Sequence, residues 1–169
     1  DFSELDAPQT VMKEKWGPKS EKYYPGNAPP SKLNGLQPLI TTFYNIHTKE
    51  SLPVFERPKA EPTTLRWFFR CRGFAEQIDL DPRLIETMLE AAKHFEAKRT
   101  SIISGYRSSK FNDTLAKKGR HVARESRHTK GQAVDFSLDT AEASELGKWL
   151  KEHFEGGVGI YVSDNFVHI

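Results

Sequence analysis

Ser126-Arg127-His128-Thr129-Lys130-Gly131-Gln132-Ala133-Val134-Asp135-Phe136 is the stretch on which the reading of this chain turns. A histidine stands seven residues before an aspartate, with a glycine between them. After Gly131, the set Ala133, Asp135, Ser137 alternates with Val134, Phe136, Leu138, the pattern of a half-buried strand. The apolar set faces a core, which puts Asp135 on the opposite, open face. With His128 delivered by the preceding loop, these are two ligands of a His/Asp/His metal site. The third candidate is His168, near the far end of the sequence. In the expected strand Phe166 to Ile169 it shares a face with Phe166, while Val167 and Ile169 take the other.

Working outward, short strands are expected at 100–104, 132–138, 158–161 and 166–169. Asp81-Pro82 starts a helix, with Asp as cap and Pro as first helical residue. Leu84, Ile85, Met88, Leu89, Ala92 and Phe95 continue it at helical spacing to about Lys98, and His94 falls off that stripe, on the surface. Leu39 to Tyr44 and Leu52 to Phe55 read as a hairpin turning near Lys49, with His47 a turn residue. Thr63 to Phe74 is a short helix or an irregular apolar plug. Arg107 follows strand 100–104 directly, where loops present functional side chains, and a polar helix runs from Ser109 to Lys118. A further helix carrying Leu146, Trp149, Leu150 and Phe154 has Asp139 or Thr140 as its expected cap and Gly156-Gly157 as its stop. Residues 1–38, broken by Pro25-Gly26 and Pro29-Pro30, form an irregular N-terminal arm whose Trp16, Tyr23 and Tyr24 pin it to the body.

Composition excludes several classes. The 169 residues suit one domain with a proper core, and 28% charged against 37% apolar is that of an ordinary globular protein. A net charge of +2, with 25 basic residues scattered along the chain, gives no electrostatic case for nucleic acid. Lys117-Lys118-Gly119-Arg120-His121 reads as a solvated helix end. A single cysteine, Cys71, rules out an internal disulfide and a Cys-rich zinc site, and its aromatic neighbours mark it as a small buried residue. No apolar run approaches the ~20 residues of a membrane span. The sequence opens at Asp1, as it would after removal of an export signal.

Zinc favours tetrahedral nitrogen and oxygen ligands, and a catalytic site keeps one position open. Two neutral imidazoles and one carboxylate leave such a centre net positive, able to acidify water and polarise a carbonyl. Amide hydrolysis also needs a general base and a donor for the developing oxyanion. Arg107 fits the donor role, or a bidentate hold on a substrate carboxylate.

Four ordered motifs carry a resemblance. Ser104-Gly105-Tyr106-Arg107, Ser126-x-His128-x-x-Gly131-x-Ala133-x-Asp135, Gly157-Val158-Gly159-x-Tyr161 and Phe166-Val167-His168 together resemble the M15 zinc peptidases. That group includes the D-Ala-D-Ala dipeptidases and the hedgehog signalling domain. Tyr44-Asn45-Ile46-His47-Thr48 and Glu50-Ser51-Leu52 look like the N-terminal hairpin of its exported murein endopeptidase branch. The resemblance covers residues 39–169, the expected zinc peptidase domain.

The resemblance implies that His128, Asp135 and His168 bind zinc, that Arg107 holds a substrate carbonyl or carboxylate, and that Ser126 contacts substrate. It implies an α+β fold, a small domain with a central antiparallel sheet flanked by helices. The implied function is a murein endopeptidase, a zinc-dependent hydrolase of peptidoglycan cross-link peptides, cutting an amide that joins D-centre residues. Alternatives are a D,D-carboxypeptidase or dipeptidase on cell-wall peptides, and an inactive zinc-stabilised binding module. A periplasmic or exported monomer follows, with peptidoglycan peptides as partner. Dipeptidase relatives place an acidic base three residues before the last histidine, where this chain has Asn165. Asp164 is the nearest carboxylate and the first candidate for the base, with His121 and Glu125 in reserve.

Overall fold

Thr41, Phe43 and Asn45 point inward from strand β1 (Leu39–Asn45), and the β-branched and aromatic residues of this run suit a pleated surface. In the computed structural model, which describes residues 38–118 and 125–169, β1 pairs antiparallel with β2 (Ser51–Phe55). The expected arm 1–38, apart from Pro38, and His121 with its neighbours at 119–124 lie outside the described residues. Asn45 closes the hairpin turn, its Oδ1 accepting from the backbone N–H of His47 at 3.0 Å and of Thr48 at 3.1 Å.

Helix α1 (Pro62–Phe68) follows, so the segment 63–74 is helical in its first part. Helix α2 (Pro82–His94) starts as expected, with Asp81 Oδ1 accepting from Arg83 N at 3.0 Å, and ends at Phe95, short of Lys98. Strand β3 (Arg99–Ser104) runs parallel to β1. Helix α3 (Ser109–Lys117) is capped by Ser108, whose Oγ accepts from Phe111 N. Strand β4 (Asp135–Leu138), helix α4 (Ala143–His153), and strands β5 (Gly159–Tyr161) and β6 (Phe166–His168) complete the described chain.

The six strands form one sheet in the order β2-β1-β3-β4-β6-β5. The fold is α+β, but the sheet is mixed. Its pairs are antiparallel except β1 with β3, because the chain leaves β2 through α1 and α2 before returning beside β1. Helix α2 packs on β1 and β3, α4 packs on β5 and β6, and the two helices touch. Met88, Ala91, Leu146 and Leu150 are fully enclosed between helices and sheet with Phe136 and Val167. Phe69 meets Phe43 and Phe68 edge-on, with centroids 5.7 and 5.2 Å apart. Cys71 is buried in a smaller cluster with Phe111 and Leu115, as a small hydrophobe would be.

Two local expectations need correction. The strand expected at 132–138 is regular only from Asp135, because Gly131 to Val134 are used to turn out of a 3-10 turn. Neither Asp139 nor Thr140 caps α4. The helix begins at Ala143, whose N–H is taken by Asn165 Oδ1 at 2.7 Å from the β5–β6 turn, so the cap comes from a distant residue. His94 is exposed as expected, stacked on Trp149 at 5.1 Å.

Beneath β1 lies a buried ion pair. Arg70 Nη1 donates to Glu50 Oε2 at 2.8 Å, with the arginine side chain 1% and the glutamate 17% exposed. Thr48 Oγ1 donates to the same carboxylate oxygen, and the Arg70 guanidinium lies over the Trp67 ring at 4.1 Å.

Candidate metal centre

The strand directions bring chemistry to one end of the sheet. Parallel β1 and β3 end there, β4 begins there with Asp135, and antiparallel β6 returns there with His168 beside it. Asp135 and His168 are direct cross-strand partners. His128 comes from the 3-10 turn Arg127–Lys130, which Gly131 ends in a left-handed conformation, φ 66°. The Gly131 carbonyl then accepts from Asp81 N at 2.8 Å, tying the turn to the start of α2. A Cβ at Gly131 would lie 2.6 Å from the Asp79 carbonyl oxygen. Gly131→Ala is therefore expected to lose about 2 kcal/mol or more, since the left-handed backbone alone costs a side chain roughly 1–2 kcal/mol. Urea denaturation and metal content check this, because the same strain displaces His128.

Three side chains converge. Ligand atoms of His128, Asp135 and His168 all lie within 4.8 Å of one another. His128 Nδ1 donates to the Gly105 carbonyl at 2.8 Å, so Nε2, which faces Asp135 Oδ2 at 3.3 Å, is the nitrogen left to give up its proton to a metal. Bonds of about 2.1 Å to a tetrahedral zinc place ligand atoms about 3.4 Å apart, so this pair already has the separation of two ligands. His168 Nδ1 lies 2.7 Å from Asp135 Oδ1. Burial pushes the Asp135 carboxyl up, and the hydrogen bonds from His128 and His168 outweigh it, holding the group at about 2. It is an anion at neutral pH. Two imidazoles and an anionic oxygen in this geometry fit zinc.

Asp135 lies opposite Phe136 in the pleat, as expected, yet it is only 8% exposed, because both histidines and Arg107 enclose it. Arg107 Nη2 stands 3.8 Å from Asp135 Oδ2. Its Nη1 reaches Asn112 Oδ1 at 3.5 Å, and its backbone N–H donates to the His128 carbonyl at 3.1 Å. Burial lowers the guanidinium's pKa and the Asp135 carboxylate opposes that; the group stays a cation. Ser126 is buried beside the cluster, its carbonyl accepting from Thr129 N and Oγ1 at 3.0 and 2.7 Å.

These residues line one cleft of about 460 Å³. Tyr161 and Phe166, stacked at 4.5 Å, form one flank, and Asn45, His47, Arg70 and Arg72 the other. A larger apolar groove beside α1 and α2, about 650 Å³, is lined by none of the three ligand candidates. Asp164 is not brought to the cluster. It is exposed in the β5–β6 turn, next to Ser163, and does not line the cleft, because Asn165 turns the chain at φ 51° and commits its side chain to α4. Glu125 is likewise exposed. The sequence reading missed His47, Arg72 and Tyr161 as cleft residues. A signal existed for His47 in its hairpin motif, but none for Arg72, inside an aromatic run that reads as core.

Comparisons with known proteins identify the family. The M15 peptidase family model described as "Peptidoglycan L,D-endopeptidase MepK" matches residues 34–169. Peptidoglycan L,D-endopeptidase MepK of Escherichia coli (strain K12) is 35% identical over 143 residues, which span 81% of this chain and 79% of the relative. The probable peptidoglycan L,D-endopeptidase MepK of Haemophilus influenzae is 30% identical over 140 residues, 79% of this chain and 75% of the relative. No solved structure matches.

Proposed function

Because the chain belongs to the M15 peptidase family of peptidoglycan L,D-endopeptidases, we propose that it is a zinc-dependent murein endopeptidase whose metal is held by His128, Asp135 and His168. The observation that carries this reading is the convergence of those three side chains in a cleft that also holds Arg107. Its relatives' names point to an amide between an L-centre and a D-centre, which replaces the expectation of a bond between D-centres. Peptidoglycan as substrate places the enzyme at the cell wall, in the periplasm or exported, and no described helix is long and apolar enough to cross a membrane.

Zinc bound here supplies an acidified water and a Lewis acid for the scissile carbonyl. The chain's own residues do the rest. The Gly105 carbonyl fixes the tautomer of His128 and so aims its Nε2 into the cleft. Arg107, beside the same carboxylate as the ligands, is placed to donate to the carbonyl oxygen as negative charge builds on it. Asn112 and the backbone bond to His128 hold that arginine in register with the first ligand. Ser126, buried next to His128, offers a hydroxyl to the bound peptide. Asp164, exposed and outside the cleft lining, takes no part in this reading.

Digestion of purified murein tests the proposal. The protein is expected to release cross-linked dimers as monomers, to lose this activity on dialysis against a chelator, and to regain it with one equivalent of zinc. A zinc-loaded protein that leaves the muropeptide pattern unchanged would overturn it.

A further inference from the structure

One row of residues runs across three strands at the end of the sheet that carries the ligand candidates. Asp135 on β4 pairs with His168 on β6, and His168 pairs with Gly159 on β5. The row thus ends at a residue with no side chain, and the Tyr161 ring leans over it. A Cβ at Gly159 would lie 3.3 Å from Tyr161 Cε2, 3.9 Å from its Cζ and 3.3 Å from His168 Cβ. The hydroxyl-bearing end of the Tyr161 ring is therefore turned back along β5, next to His168, rather than outward past the turn. Phe166, its cross-strand partner, backs it, the two rings stacked at 4.5 Å and 10° from parallel.

The phenol is a donor with no task inside the protein. Tyr161 lines the cleft and is 47% exposed, and its hydroxyl makes no hydrogen bond among the described residues. It also lies within electrostatic reach of Arg107. Burial lowers that guanidinium's pKa, and Tyr161 is one of the groups, after Asp135 and Cys71, that oppose the shift. Tyr106, the other tyrosine of the cleft, packs instead against the Cys71, Phe111 and Leu115 cluster. Among the described residues lining the cleft, Asp135 is the one acid, and both histidines engage it. Tyr161 is what the β5 flank offers to a reacting group beside the cluster.

We propose that Tyr161 is a second catalytic donor for the hydrolysis: alongside Arg107, its hydroxyl hydrogen-bonds the scissile carbonyl oxygen as negative charge builds there. The inference rests on the endopeptidase reading and adds a residue to it. The proton stays on the phenol throughout, so no bond forms or breaks at Tyr161. Its contribution comes from a donor already fixed in place, by Phe166 behind the ring and Gly159 beneath it. Such a donor counts toward rate because it meets more charge on the oxygen in the transition state than in the bound amide. A neutral hydroxyl also adds this bond without setting a second cation beside Arg107.

Tyr161→Phe tests this, because it removes the hydroxyl and keeps the ring stacked on Phe166. On a cross-linked muropeptide dimer the variant is expected to lower kcat about 10- to 100-fold, with KM within about twofold and zinc at one per chain. Calorimetry adds a readout that needs no turnover. A dimer analogue with a phosphinate in place of the scissile amide should bind Tyr161→Phe about tenfold or more weaker than wild type, while the monomer product binds both alike. Unchanged kcat, a loss confined to KM, equal phosphinate affinity or an equal loss on the monomer would each overturn the proposal. So would a zinc deficit that accounts for the lost rate. A wild type that cleaves no dimer is a different result, and it is the endopeptidase reading that then fails. The phosphinate comparison decides the role of Tyr161 in that case, and equal affinity again overturns it.

Discussion

Asp135→Asn is expected to empty the metal site and to cut murein hydrolysis by about a thousandfold or more. The carboxylate is the anionic member of the set and stands between both imidazoles, 3.3 Å from His128 Nε2 and 2.7 Å from His168 Nδ1. Asparagine keeps the shape and loses the charge, so two neutral imidazoles and an amide oxygen remain for a dication. Lewis-acid assistance is worth several kcal/mol of transition-state stabilisation, and each 1.36 kcal/mol is about tenfold in rate. Metal analysis of the purified variant gives the readout that does not depend on turnover: well below one zinc per chain is expected. Zinc at full occupancy in Asp135→Asn would remove Asp135 from the ligand set. The chelator-treated wild type adds a pH test. Its Asp135 carboxyl is held below its ordinary value, so the stability it contributes is present above about pH 4 and disappears as the pH falls through about 2. The variant should lack that part of the acid limb.

Arg107→Ala is expected to lower kcat by about 100- to 1000-fold while zinc content stays at one per chain. The estimate is the cost of removing one preorganised donor from an oxyanion site. Arg107 stands 3.8 Å from Asp135 Oδ2 but makes its bond to the His128 carbonyl through its backbone, so truncating the side chain leaves the loop's anchor intact. Lysine should restore little, because an ammonium cannot reproduce the planar fork held by Asn112. Steady-state kinetics on a cross-linked dimer separates the two roles open to this arginine. A loss confined to KM would assign Arg107 to ground-state binding of a carboxylate. A loss in kcat assigns it to the reacting carbonyl.

Two of the three proposed metal ligands, Asp135 and His168, had directions legible in the sequence because each lies in a local strand pattern. The alternation from Ala133 to Leu138 put Asp135 opposite Phe136, and the parity of Phe166 to Ile169 turned His168 away from Val167. The pleat delivers both as cross-strand partners. What local patterns could not carry was long-range placement. The parallel pairing of β1 with β3 depends on two intervening helices, and it is this pairing that brings His47 to the same end of the sheet as Arg107. The cap of α4 was misread for the same reason: its donor is satisfied by Asn165, more than twenty residues downstream. That contact also explains why the carboxylate next to it, Asp164, the nearest acid in the sequence, is not in the cleft. The turn is organised around the helix rather than around the His/Asp/His cluster.

The ion pair beneath β1 has a consequence for how such a sequence changes over generations. Losing Arg70 alone would leave the Glu50 carboxylate facing a largely enclosed wall, and losing Glu50 alone would remove the carboxylate from a guanidinium that has almost no access to water. Removing one partner of a buried pair is far more damaging than replacing both with apolar residues that fill the same space. Neither position therefore has a viable first step on its own. The two should persist or disappear together, and they hold the floor of the β1 flank in a form that drift rarely crosses while the cleft residues above it remain free to vary one at a time.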